Sequence, residues 1–112
     1  MGLVYEEDLA AGYAVWATDT MQDAGIVHKD KGGSGATGVV PRTVFAYGWN
    51  DDFIIAKRHP EKNRKVDTGT TYWYIVEVAS GNVHGPLSEG EFSNLRTKLK
   101  LPAELSFTRT IQ

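Results

Sequence analysis

The chain has 112 residues, enough for one domain with one modest core, since separate cores arise in much longer chains. Its hydrophobic share of 41% and charged share of 23% are those of an ordinary globular protein. The absence of cysteine excludes disulfides, thiolate metal sites and a cysteine nucleophile, and no apolar stretch approaches the roughly 20 residues of a membrane span.

The net charge of −2 is unevenly spread. Residues 1–30 hold six carboxylates (Glu6, Glu7, Asp8, Asp19, Asp23 and Asp30) against Lys29, a net of −5. The remainder, with eleven bases and eight acids, carries +3. A mildly acidic chain without a basic stripe is a poor nucleic-acid binder. An acidic end would instead attract a basic protein partner and speed encounter. The N-terminus, Met1 to Asp8, has neither a basic nor an apolar signal region, and the expectation is a cytoplasmic protein with no membrane association.

Gly12-Tyr13-Ala14-Val15-Trp16-Ala17 is the first expected strand, followed by the short Ile26-Val27-His28, with Asp19, Asp23 and Gly25 as turn residues between them. Residues 31–38, Lys31-Gly32-Gly33-Ser34-Gly35-Ala36-Thr37-Gly38, read as a flexible glycine-rich loop. Gly33 to Gly38 matches G-x-G-x-x-G in letters only. The phosphate-binding version needs a helix starting inside the motif, and Val39-Val40-Pro41 opposes one.

Thr43 to Arg58 reads as a β-hairpin around Asn50-Asp51-Asp52. Its second arm, Phe53-Ile54-Ile55-Ala56, is continuously apolar, as expected of a central strand covered on both sides. Residues 61–71 read as a polar loop. Tyr72 to Val78 is the next strand, and Ser80-Gly81-Asn82 turns the chain into Val83 to Leu87. Ser88-Glu89-Gly90-Glu91 is a capping box that opens a helix with Phe92, Leu95 and Leu99 on one face, closed by Pro102. A short last strand is expected at Leu105-Ser106-Phe107-Thr108. The fold class is α+β: an antiparallel meander of about five or six strands in a single domain, 1–112, with one C-terminal helix on a face.

No catalytic or metal-binding constellation is suggested by spacing. His28, His59 and His84 lie in separate segments, with neither an i, i+4 pair nor an HExxH pattern. Asp51 and Asp52 with Lys57 and His59 would be the nearest approach to an enzyme, yet adjacent turn acids are favoured for backbone reasons. The surplus of strand aromatics points to protein–protein contact instead. Trp49 at the hairpin, with Asp51, Asp52 and Arg58 nearby, and the acidic Glu6, Glu7 and Asp8 are the candidate partner-binding residues.

Gly12-Tyr13, then Val40-Pro41-x-x-Val44, Tyr47-Gly48-Trp49-Asn50-Asp51-Asp52-Phe53-Ile54-Ile55-Ala56-Lys57-Arg58-His59-Pro60, Tyr72-Trp73-Tyr74-Ile75-Val76 and Gly85-Pro86-Leu87-x-x-x-x-Phe92 carry a resemblance that spans most of the chain. The chain resembles an uncharacterised bacterial family of unknown function with the pattern IIPxxVxxxGYNDxFIIAKQHP … YYIID … GPLxxxEF. It departs from it in having Trp49 for Tyr and Arg58 for Gln. Many members look like small lipoproteins with a lipobox cysteine, which this chain lacks. The resemblance implies no enzymatic activity and no cofactor. Small, fast-diverging α+β proteins of this kind look like immunity proteins that neutralise a cognate antibacterial toxin, such as a type VI secretion effector, by occluding its active site. The alternative expectation is an envelope-associated or structural binding domain related to the lipoproteins.

Overall fold

The computed structural model describes residues 2–32 and 35–111. Strands β1 (Tyr5–Asp8), β2 (Tyr13–Ala17), β3 (Gly25–Lys29) and β4 (Ala36–Val40) form an antiparallel meander in the order β1-β2-β3-β4, with a short 3-10 turn at Met21–Asp23. Next come β5 (Val44–Trp49), β6 (Phe53–Arg58), β7 (Glu61–Lys62), β8 (Lys65–Val66), β9 (Tyr72–Glu77), β10 (Val83–Leu87), helix α1 (Glu89–Lys98) and β11 (Arg109–Thr110). The second sheet has the order β10-β9-β6-β5-β11, and β7-β8 is a separate small ribbon.

Three layers follow from the period-two alternation of strand side chains. On β2, Tyr13, Val15 and Ala17 turn inward to meet Ile26 and Val40 of the same sheet and Val44, Tyr47, Ile54, Ala56, Tyr74 and Val76 of the other. The opposite face of the five-stranded sheet supplies Ile55 and Ile75 to a second core with Phe92, Leu101 and Leu105. Strand β6 therefore lies between two apolar layers, which is why Ile54, Ile55 and Ala56 are all fully buried. In β5 the alternation slips at a bulge between Val44 and Ala46, so that Val44 and Tyr47, three apart, both face the sheet-sheet core.

The helix begins as its capping box predicts. The Ser88 amide donates to Glu91 Oε1 at 2.8 Å, and the Glu91 amide donates to Ser88 Oγ at 3.2 Å. Phe92 is buried, and Leu95 and Leu99 pack beside it. Trp73, Phe92 and Phe107 form a triangle of rings with centroids 4.9 to 5.7 Å apart. Such pairs contribute about 0.5–1.5 kcal/mol each beyond their buried area.

The fold class is the expected one, α+β with antiparallel strands and one helix on a sheet face. The strands, however, make two layered sheets rather than one meander. Residues 5–8 pair with β2 because Tyr5 and Glu7 turn inward while Glu6 and Asp8 stay in water. Within the segment expected to be a loop, 31–38, residues Ala36 to Gly38 belong to β4, ordered by backbone pairing with β3; Gly33 and Ser34 lie outside the described residues. The expected loop 61–71 contains the β7-β8 ribbon, whose turn residues Asn63 and Arg64 adopt φ of 53° and 64°.

Leu105 to Thr108 is not a strand. Leu105 and Phe107 serve the helix-side core, and the Ser106 carbonyl passes so close over Gly48 that a Cβ there would collide with it. Arg96 holds this crossing in place, donating to the Pro102 carbonyl at 2.7 Å and also to the Leu105 carbonyl. Beyond it Arg109 and Thr110 pair with the β5 edge, and the Ile111 amide donates to the Phe45 carbonyl at 2.9 Å.

Candidate partner-binding face

The outer face of the four-stranded sheet is covered by no third layer among the described residues. Alternation places Glu6 and Asp8 of β1 and Ala14 and Trp16 of β2 on it, and register puts Glu6 beside Trp16 and Val27 beside Ala14. Trp16 and Val27 belong to neither core and are half-buried. The indole Nε1 of Trp16 donates to Glu6 Oε2 at 3.1 Å, which fixes the ring across the strands. Lys29 Nζ donates to Asp8 Oδ1 at 2.6 Å, and that hydrogen bond raises the Lys29 pKa above the ordinary lysine range. In so exposed a pair the attraction is screened, so it orders the side chains more than it stabilises the fold.

Glu7, the middle carboxylate of the expected acidic trio, has a different role. It points between the sheets, where the Tyr47 hydroxyl donates to its Oε1 at 2.5 Å and Arg109 Nε donates at 3.0 Å. The Tyr5 and Tyr47 hydroxyls are 2.6 Å apart. Burial, reinforced by the bonds to Glu7 and Tyr5, pushes the Tyr47 pKa far above the ordinary tyrosine range. Because Glu7 is on β1 and Arg109 on β11, this network ties the edge of one sheet to the edge of the other.

The other expected contact residues are dispersed. Trp49 packs partly against the sheet-sheet core with the Arg109 guanidinium 5.5 Å from its ring. Asp51 and Asp52 are exposed at the β5-β6 turn, which is held by Asn50 Oδ1 accepting from the Asp52 and Phe53 amides at 2.8 Å each. Arg58 is used internally: Nε donates to the Arg42 carbonyl at 2.9 Å and Nη1 to the Tyr74 hydroxyl at 3.2 Å. Of the expected residues, the structure brings only Glu6 and Asp8 together on the outer face. Trp16 and Lys29, which complete that face, were legible in principle, because Trp16 alternates with the core residues Val15 and Ala17.

The ionisable groups weighed for catalysis do not converge. Six-residue β6 separates Asp51 from His59 by about 20 Å along its length. Lys57 Nζ sits 4.7 to 5.7 Å from the Phe45, Trp73 and Phe107 rings, a cation–π arrangement on the helix side. His59 stacks on Phe45 at 4.0 Å with Nδ1 2.9 Å from the Thr70 carbonyl oxygen. His28 lies against the Ala11 carbonyl and His84 against Glu77. No group of three or more metal-ligating side chains is found among the described residues.

A hollow of about 410 Å³ lies between the 3-10 turn and the β7-β8 ribbon and is lined by Asp23, Arg42, Glu61, Arg64 and Lys65 among others. Arg42 answers both of its acids. Arg42 donates to Asp23 at 3.0 Å and to Glu61 at 3.5 Å. The Thr20 amide, and after it Arg42, hold the Asp23 carboxyl below the usual range.

A family described as "Protein of unknown function (DUF3997)" matches residues 10–111. The chain belongs to this family. No curated protein and no solved structure matches it. The match begins after β1, so the outer-face acids Glu6 and Asp8 lie outside the matched residues, whereas Trp16, Val27 and Lys29 lie within them. Among the described residues no helix is long and apolar enough to cross a membrane.

Proposed function

We propose that this DUF3997 protein works by binding rather than catalysis, as an immunity-type inhibitor that covers the active site of a cognate antibacterial toxin in the cytoplasm. The partner seats on the outer face of β1–β4, around Trp16. The observation that carries this reading is the uncovered sheet face itself. It presents a partly exposed tryptophan that serves neither core, rimmed by Glu6 and by Asp8 with its partner Lys29. A large aromatic ring in a polar rim is the chemistry of an interface hot spot. The acidic rim selects a partner with basic groups around its active site and speeds their encounter. A standard interface takes about 800 Å² per partner, roughly one eighth of the 6536 Å² surface of the chain.

The test is co-expression with the toxin encoded beside the gene, followed by calorimetric titration of the purified pair. Trp16→Ala and Glu6→Lys are each expected to weaken the complex at least tenfold, while thermal unfolding of the free inhibitor stays within a few degrees of the parent. The reading fails if neither a complex nor protection from the toxin is seen. It also fails if both variants bind as tightly as the parent.

A further inference from the structure

A second hollow, of about 280 Å³, adjoins the one beside the β7-β8 ribbon. Gln22, Thr43, Val66 and Thr68 line both, so the two make one groove, with Phe45 and His59 at its far end. Its walls are held from several sides. Thr43 and His59 exchange two backbone hydrogen bonds, at 2.9 and 3.1 Å, and the Thr43 hydroxyl donates to the Gln22 carbonyl at 2.6 Å. The Asp67 amide donates to the Pro60 carbonyl at 2.8 Å, which ties the ribbon to the end of β6. Small-molecule sites are usually preformed in this way.

The two ends differ in chemistry. At the ribbon end Arg42 is taken up by Asp23 and Glu61, while Arg64 and Lys65 form no ion pair among the described residues. Three bases (Arg42, Arg64 and Lys65) against two acids leave a charge of +1 there. The far end is apolar. His59 lies flat on Phe45 with ring centroids 4.0 Å apart, its Nδ1 donating to the Thr70 carbonyl at 2.9 Å, and Val66 adds an aliphatic wall.

We propose that this groove binds a small monocarboxylate carried on an apolar ring, the carboxylate at Arg64 and Lys65 and the ring against Phe45, His59 and Val66. Charge selects the class. One negative charge neutralises the +1 of the ribbon end, whereas a phosphate dianion would leave an excess beside Asp23 and Glu61. The planar guanidinium of Arg64 also matches the two oxygens of a carboxylate. The groove shares no residue with the Trp16 face, so this site stands or falls apart from the toxin-binding reading.

The test is titration of the full chain with 3-phenylpropionate at constant ionic strength, followed through backbone amide shifts in NMR spectra. So small a ligand should bind with a Kd of about 1–10 mM and shift the amides of Thr43, His59, Val66 and Thr68. The neutral 3-phenylpropionamide, and acetate, which lacks the ring, should each bind at least tenfold more weakly. Arg64→Gly with Lys65→Gln removes both unpaired cations from an exposed turn and should raise the Kd at least tenfold without lowering the thermal midpoint. Glu61→Gln should act in the opposite direction, lowering the Kd severalfold, which a merely structural role would not produce. Four results overturn the proposal: no shifts in the groove, an amide that binds as tightly as the acid, acetate that binds as tightly as 3-phenylpropionate, or phenyl phosphate that binds more tightly than either.

Discussion

Tyr47→Phe isolates the network that joins the two sheets, because it removes one oxygen and leaves the buried ring in place. That hydroxyl donates to Glu7 at 2.5 Å and lies 2.6 Å from the Tyr5 hydroxyl. A hydrogen bond to an ionised group contributes about 1.5–3 kcal/mol net, and the variant should lose that much at pH 7. The same hydroxyl makes a second, pH-dependent prediction. Burial, with the bonds to Glu7 and Tyr5, raises the Tyr47 pKa in the folded chain, while an unfolded tyrosine ionises near pH 10. Below pH 10 both states hold the proton and the contribution is constant. Above it the unfolded chain releases a proton that the folded chain retains, so stability falls by up to about 1.4 kcal/mol per pH unit. Urea unfolding followed by tryptophan fluorescence between pH 7 and pH 11.5 measures both effects. The parent should lose stability above pH 10 more steeply than Tyr47→Phe, by the slope of one proton. Equal stability at pH 7 together with parallel alkaline slopes would refute the account of this network.

Three further substitutions probe the layers. Gly48→Ala drives a Cβ into the Ser106 carbonyl and should cost about 2–4 kcal/mol by lifting residues 102–108 off the sheet, read by denaturation and by faster hydrogen exchange at Arg109 and Ile111. Phe92→Ala empties the centre of the helix-side core and should cost about 3–5 kcal/mol in equilibrium unfolding, with Trp73 fluorescence changed because the two rings are 4.9 Å apart. Arg64→Gly should stabilise the chain by up to about 1 kcal/mol, since Arg64 holds φ of 64° in an exposed turn where glycine is unstrained, and a rise in thermal midpoint checks it.

Features governed by nearest neighbours in the chain were legible in the amino-acid order. The Ser88–Glu91 capping box locates the helix start because its two hydrogen bonds close within four residues. The apolar run Phe53 to Ala56 announces a strand covered on both faces because period-two alternation would otherwise leave a polar side. The Asn50 turn is likewise local, its side chain accepting from the next amides but one and two.

What required the tertiary structure is whatever depends on partners distant in sequence. Ala36 to Gly38 closes a glycine-rich run and has little strand preference of its own; β3 supplies the ladder that joins it to Val39 and Val40 in β4. Leu105 to Phe107 alternates like a strand, yet Gly48 allows the Ser106 carbonyl to cross β5, and the two apolar side chains fill the core under α1. Glu7 reads like its neighbours Glu6 and Asp8. Only the assembled edges of two sheets, meeting through Tyr47 and Arg109, give one carboxylate of the three a buried set of donors and leave the other two facing outward. Composition and alternation thus settle which segments are apolar on which side. Which sides meet is settled by long-range packing, because burial is shared between segments up to a hundred residues apart and no local pattern encodes both halves of such a contact.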